Sequence, residues 1–408
     1  MPFALALSGI NAANTDLNTT ANNIANVNTV GFKSSRAEFS SLYAQTQQGD
    51  ALTTVGNGVA VSTIAQQFTQ GNINTTSNNL DLALSGNGFF VVSKNGALSY
   101  TRNGAFQVDQ NGYLVTASGD RVQGYQPLAN GGFNTGGLSD LQLSTAQVAP
   151  QATSTAKMTL NLPSNATAPI TTPLNPSDST SYNNTTSLTV YDSVGAAHTA
   201  QVYFVKGPTT STTSTWNASL YVDGNPVGTT PQTLTYSSSG TLITPANGVV
   251  NFGTYTPTTG ASPMNIAFNF GASTQYGNSF AVNAISQNGY TTGNLTGINI
   301  SPSGVVQANF TNGQSTTLGQ VALANFANPQ GLAQTSNTQW LQTYSSGAAV
   351  NGVGGTSGFG TIQSGALEQS NVNVTAELVN MITASRNFQA NSQMINTANQ
   401  DTQAILRI

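Results

Sequence analysis

A mainly β protein with α-helical coiled-coil termini is what this sequence predicts, with its N- and C-terminal helices paired as an inner domain and nested β domains outside. Three observations carry the expectation. Apolar residues recur at sevenfold spacing at both extreme ends of the chain. Short alternating apolar runs between turn dipeptides fill almost everything else. Charge is nearly absent: 9 Lys and Arg and 13 Asp and Glu stand among 408 residues, 5% of the chain, against about 25% in ordinary soluble proteins. Asn, Thr, Ser, Gln and Gly take its place, giving a chain that is polar without repelling itself and suited to dense packing against copies of itself.

At the N-terminus Phe3, Ile10, Leu17 and Ile24 lie seven apart, with Leu7, Ala13, Ala21 and Val27 on the same stripe. Pro2 suits a first helical position and Gly31 a stop. Asn and Thr crowd this segment at roughly 0.5 kcal/mol each relative to Ala, so the helix needs partners along its apolar stripe. Residues 32–80 read as irregular to extended. From about Leu80 to Tyr125 strands follow, with Asn95-Gly96 and Asn111-Gly112 as hairpin turns. The Thr/Ser/Asn-rich stretch from about 145 to 290 reads as an all-β domain, with runs such as Ser187–Tyr191, Ala200–Val205 and Ala218–Val222. Asp223-Gly224-Asn225-Pro226 and Ala246-Asn247-Gly248 punctuate it as turns. Short strands resume over 290–350, and Gly347–Gly360 reads as a Gly-rich loop. At the C-terminus Val374, Met381, Phe388 and Ile395 are again seven apart, with Leu378 and Ile405 beside them. Asn373 is placed to cap that helix, and Glu377 sits near its positive end.

Placing the end helices side by side makes the chain leave and return through one base, so each inner domain is inserted into the one outside it. The expected division is 1–30 plus 371–408 as the terminal coiled-coil domain and 31–72 plus 358–370 as an extended connecting region. A discontinuous β domain of 73–145 plus 290–357 follows, and an inserted outer β domain of 146–289.

Composition excludes several functions. Nine scattered cations build no basic patch for nucleic acid or an anionic membrane surface, and no run of 18 apolar residues exists for membrane insertion. Without Cys, and with His198 as its one His, the chain offers no Cys nucleophile, disulfide, Fe–S cluster or Cys/His zinc site. His198 has no second His or Cys for company and reads as structural, at a turn entering a strand. Asp109, Asp192 and Asp223 adjoin turns, where Asp bonds the backbone, which outweighs a carboxylate-pair reading for glycan chemistry. Arg102 and Arg121 are expected to pair with Asp109 or Asp120, within the subunit or across an interface. No cofactor or metal site is expected, and no enzyme. The first residues lack a cationic n-region, so no cleaved secretory signal is expected.

Three blocks then carry a family likeness. The first is Asn22-Asn23-Ile24-Ala25-Asn26-Val27-Asn28-Thr29-Val30-Gly31-Phe32-Lys33. The second runs from Ser85 through Gly88, Phe89 and Phe90 to Tyr100-Thr101-Arg102-Asn103-Gly104-Ala105-Phe106, then Asp109, Gly112 and Tyr113, ending at Tyr125. The third is Gly365-Ala366-Leu367-Glu368-Gln369-Ser370-Asn371-Val372-Asn373, continued by Glu377–Ile382 and Arg386–Asn391. Together they resemble the rod and hook proteins of the bacterial flagellar axis, over about the first 125 residues and the last 45. The long β insertion resembles the hook members rather than the shorter rod members, with a distal rod subunit as the alternative. An extracellular β-rich fibre or adhesin shares the Thr/Asn-rich text but leaves the heptads at both termini unexplained.

The resemblance implies a structural subunit of the curved, tubular hook, a universal joint passing torque from rod to filament. It implies a homopolymer whose terminal heptads form the seam. It further implies rod, hook-cap and hook–filament junction proteins as neighbours, the flagellar type III apparatus as export route, and an extracellular place in the hook and basal body.

Overall fold

The computed structural model describes residues 2–42, 56–143 and 147–405. The expected domain limit at 145/146 and the last three residues of the chain lie outside the described residues. Helix α1 spans Pro2–Ala25 and helix α2 spans Val374–Ile405; nearly all other regular structure is β. The chain divides into two compact units: 1–145, 297–309 and 315–408 form the first, and 146–296 with 310–314 the second.

In the first unit an antiparallel path runs 305–310, 315–321, 121–125, 89–94, 97–101, 339–341, 333–335. Its strand Phe89–Lys94 explains the compact Phe-Phe-Val-Val run. Side chains alternate across a strand: Phe90 and Val92 enter one core with Leu82, Leu84, Phe106 and Val321. Phe89 and Val91 enter another with Tyr100, Phe326 and Trp340. Asn95-Gly96 turns this strand back on 97–101, with both residues at positive φ (51° and 86°), as a tight hairpin of this twist requires.

The second unit is two sheets around one core. Strands 184–191, 197–209, 213–222, 225–237 and 242–244 form an antiparallel meander; 249–255, 264–269, 155–161 and 281–287 form the other sheet. Strand Thr213–Val222 alternates buried and half-buried residues along its whole length. Its Trp216 is fully buried in a core with Phe204, Tyr236, Phe268 and Phe270.

Two expectations need correction. The N-terminal helix stops at Ala25, not at Gly31. Asn23 bonds the Ser35 backbone through both amide atoms, at 2.7 and 2.9 Å, and Asn26 Nδ2 donates back to Asn22 O at 2.9 Å. Asn side chains compete with helical hydrogen bonds in this way, so Val27 lies in a turn and not on a helical stripe. The described part of 31–72 is not a bare connection: Ser35–Ser41 and Val59–Gln66 pair antiparallel, with a register shift at Glu38/Phe39. Within the Gly-rich stretch, Val350–Gly352 pairs with Leu323–Asn325.

Candidate assembly site

The base of the terminal helices is held by one buried charge cluster. Lys33, from the first block, places Nζ 2.6 Å from Oε1 of Glu368, from the third, and both side chains are fully buried. Arg102, from the second, reaches Glu368 Oε2 from Nη1 at 3.2 Å. Lys33 Nζ also donates to Thr69 O at 2.8 Å, and Gly71 N donates to Glu368 Oε1 at 2.9 Å. Arg102 Nη2 donates to Gly86 O at 2.9 Å, and its guanidinium lies 5.4 Å from the centre of the Phe89 ring. Arg102 Nε is buried without a partner. Two cations thus share one carboxylate in a dry site. Burial pulls the Lys33 ammonium below its usual range, Glu368 pulls it back up, and Arg102 pushes it down again. Burial likewise lowers Arg102 against the pull of Glu368.

The pairings expected for the arginines are therefore corrected. Arg102 bonds neither Asp109 nor Asp120, and Arg121 pairs with Asp140 at 2.7 Å while lying over the Tyr113 ring at 4.0 Å. Sequence distance hid both choices: Glu368 is 266 residues from Arg102 and entered only as one letter of a block.

The backbone is drawn into the same knot. Gly31 N donates to Glu368 O at 2.8 Å. Gly31 has φ +69°, and a Cβ there would stand 2.5 Å from Asn103 N. A side chain is excluded twice, by conformation and by space. Asn371 accepts from Ser34 N at 2.7 Å and donates to Gln67 O at 2.7 Å. Segments near 33, 70, 102 and 368 thus close on one another beneath the helices, and the buried Phe32 lies in the same segment as Lys33.

The other block residues build the β scaffold. Gly88, at φ +120°, leads into strand 89–94. Gly104 O accepts from Leu82 N at 2.9 Å, and Phe106 meets Phe90 edge to face at 5.4 Å. Asp109 Oδ1 accepts from Asn111 N and Tyr113 N, both at 2.8 Å, around the Gly112 turn. Asn22 and Ala25 end exposed on α1, and Asn28 is exposed in the turn beyond.

Above the knot α1 and α2 pack together through small residues. Ala6, Ala13 and Thr20, seven apart, are buried on α1, as is Ala384 on α2. A Cβ on Gly9 would stand 2.5 Å from Asn391 Oδ1, so the helices approach closely there and a side chain at 9 would have to displace the Asn391 amide. Of the described residues of the expected apolar stripe, only Ala13 is buried. Phe3 is 45% exposed, Leu7 53%, Leu378 47% and Phe388 37%; Val374 is exposed too, and Ile10, Leu17, Ile24, Val27, Met381 and Ile395 are half-buried. Ile405 ends α2, and its side chain lies outside the described residues. Val379, Ile382 and Met394 are exposed on α2 as well. Asn373 Oδ1 caps α2 by accepting from Ala376 N at 3.2 Å, and Glu377 stands in the first turn. Thr15, Thr19, Thr383, Thr397 and Thr402 donate to carbonyls one turn back. Their hydroxyls are thereby satisfied within each helix.

This arrangement holds and presents the helices. No helix among the described residues is long and apolar enough to cross a membrane.

Comparison with known proteins gives the same reading. Residues 4–33 match the family "Flagella basal body rod protein" and 363–408 "Flagellar basal body rod FlgEFG protein C-terminal". Residues 83–173 match "Flagellar hook protein FlgE/F/G D1 domain" and 161–290 "Flagellar basal body protein FlaE D2 domain". A flagellar hook protein FlgE of Escherichia coli is 41% identical, covering 98% of each chain. One from Brucella suis is 34% identical over 97% of this chain and 95% of its own, and one from Borreliella burgdorferi 32% over 98% of each. The crystal structure of Helicobacter pylori flagellar hook protein FlgE2 shares the fold, at TM-score 0.54 and 15% identity over 72% of this chain and 100% of that one.

Paired end helices with partly uncovered apolar faces, knotted to the β strands of the first unit by one buried cluster, go with the class these matches give: structural subunits of the bacterial flagellar axis. Within it, these three relatives, each matched along almost its whole length, are hook proteins. The chain belongs to the flagellar hook protein family.

Proposed function

We propose that this chain is a non-enzymatic subunit that polymerises into the curved tubular hook, with its terminal helices packed on those of neighbouring copies as an inner tube and its β units outside. The observation that carries the reading is the division of labour on α1 and α2. Their shared face is closed by Ala6, Gly9, Ala13 and Ala384, while Phe3, Leu7, Leu378 and Phe388 stay uncovered within one chain. A buried Leu or Phe is worth about 1.5–3 kcal/mol of apolar transfer, and several such residues per subunit supply a driving force that only another copy can realise. Few charges leave few ion pairs to break as subunits slide, which suits a universal joint carrying torque from rod to filament.

In this reading the four-part division by 1–30 and 371–408, 31–72 and 358–370, 73–145 and 290–357, and 146–289 describes successive layers from tube to surface. The end contacts are made with rod, hook-cap and hook–filament junction proteins. Export runs through the flagellar type III apparatus to an extracellular position. Negative-stain microscopy of the purified, concentrated chain is the test. Curved tubes support the reading, straight rods would place the chain in the rod instead, and a chain that stays monomeric at every concentration would remove it.

A further inference from the structure

His198, buried in the second unit, has carboxylates on both ring nitrogens. Nδ1 lies 2.6 Å from Asp223 Oδ2 and Nε2 lies 3.2 Å from Asp192 Oδ2. Both carboxylates already accept from other donors. Asp192 takes Val194 N, Ala196 N and the Thr259 hydroxyl, at 3.0, 2.9 and 2.7 Å. Asp223 takes Thr199 N at 2.9 Å and the Tyr255 hydroxyl at 3.2 Å. An ionised carboxylate only accepts, so each ring nitrogen must donate, and only the imidazolium has two N–H groups.

The position gives this charge a mechanical meaning. Asp192 follows strand 184–191 and Asp223 follows strand 213–222, both in the five-stranded sheet. Tyr255 ends strand 249–255 of the facing sheet, and Thr259 lies in the link beyond it. The Tyr255 ring also stands edge-on to the imidazole at 5.6 Å. One cation therefore joins two turns of one sheet to a strand end and link of the other. We infer that His198 is a protonation-operated pin that closes one end of the outer β unit and releases it when the ring loses its charge.

Its neighbours favour the charged ring. Burial alone would lower the His198 pKa, but the bonds to Asp223 and Asp192 and their charges outweigh it and raise it above the ordinary 6.5. Asp192, pushed up by burial, is brought down to about 2 by Thr259, Ala196, His198 and Val194. Asp223 is lowered in the same way, its bonds to His198, Thr199 and Tyr255 overcoming burial. Tyr255 is raised by burial and by both aspartates. A basic group raised on folding stabilises fully below 6.5 and loses that contribution as pH climbs through its folded value. The pin is therefore closed below 6.5 and opens as pH climbs through the raised folded value, where one nitrogen lone pair is left facing a carboxylate.

Because the chain holds a single His, the ring can be read directly by NMR in the unaltered full-length protein. The expected result is a titration midpoint above 6.5 in the folded chain, returning to the ordinary value in urea. In parallel, the folding constant of the outer unit should fall about tenfold for each pH unit by which the folded midpoint exceeds 6.5. His198→Gln should abolish that fall. A folded midpoint at or below 6.5 overturns the inference. So does a His198→Gln protein that folds and loses stability with pH as the parent does; if that variant does not fold, the titration of the parent chain decides alone.

Discussion

Lys33, Arg102 and Glu368 are unequal partners in their cluster. Removing Glu368 leaves two buried cations with no anion, and stranding a buried charge costs about 3–5 kcal/mol. Removing Lys33 leaves the Glu368–Arg102 pair intact, at 3.2 Å. Glu368→Gln should therefore lower the urea midpoint of the first unit far more than Lys33→Met; equal losses would mean that the carboxylate is not the hub. The participation of Lys33, Arg102 and Glu368 was legible as three letters in three blocks. Their meeting was not, because a one-dimensional text carries no signal for contact across 335 residues. The turn aspartates were easier to read, since Asp109, Asp192 and Asp223 act on backbone groups within a few positions or on the adjacent strand.

Helix α2, 32 residues and about 48 Å long, keeps Phe388 partly exposed in the single chain. Phe388→Asp therefore leaves the monomer folded and removes burial only where copies meet, where an unpaired charge is costly. The expected outcome is a soluble monomer with normal β-sheet circular dichroism and no tubes, while Asn387→Asp, next to it and off the stripe, assembles. Sedimentation of the two variants decides, and equal assembly would show that the stripe is not the seam. Gly9 makes the complementary case. Gly9→Leu must displace the Asn391 amide and wedge a large side chain between the helices, so it should loosen α1 on α2 and speed amide exchange along α1; unchanged exchange would show that Asn391 moves aside. The sevenfold repeat showed that both helices have an apolar side. It placed Ala13 on that side but passed over Ala6, Gly9 and Thr20, because Ala, Gly and Thr carry almost no hydrophobic signal.

Strands at the mouth of the second unit run side by side. Val148 pairs with Gly293, and Gln151 with Tyr290, so the long segment of that unit begins and ends side by side. A short linker in place of 147–295 should accordingly leave the first unit with an unchanged urea transition and a chain that still forms tubes, altered in curvature. If that shortened chain unfolds cooperatively at much lower urea, the second unit is part of the same folding unit. Charge acts at the same scale: a net −4 spread over 408 residues offers little long-range repulsion to copies that must pack side by side.

Local chemistry determined much of this protein directly from its sequence. Heptad spacing made the two end helices, Asn-Gly and Asp-Gly pairs made the hairpins at 95–96, 111–112 and 223–224, and the lack of Cys ruled out disulfides and Cys/His zinc sites. Each depends on residues within a few positions of one another. The tertiary structure alone decided where α1 stops, which helix face closes inside the chain, which carboxylate Arg102 takes and how His198 comes to sit between two aspartates. Those outcomes depend on desolvation: a buried charge accepts whichever opposite charge the fold brings within about 3 Å, and no propensity or periodicity in the text measures that distance.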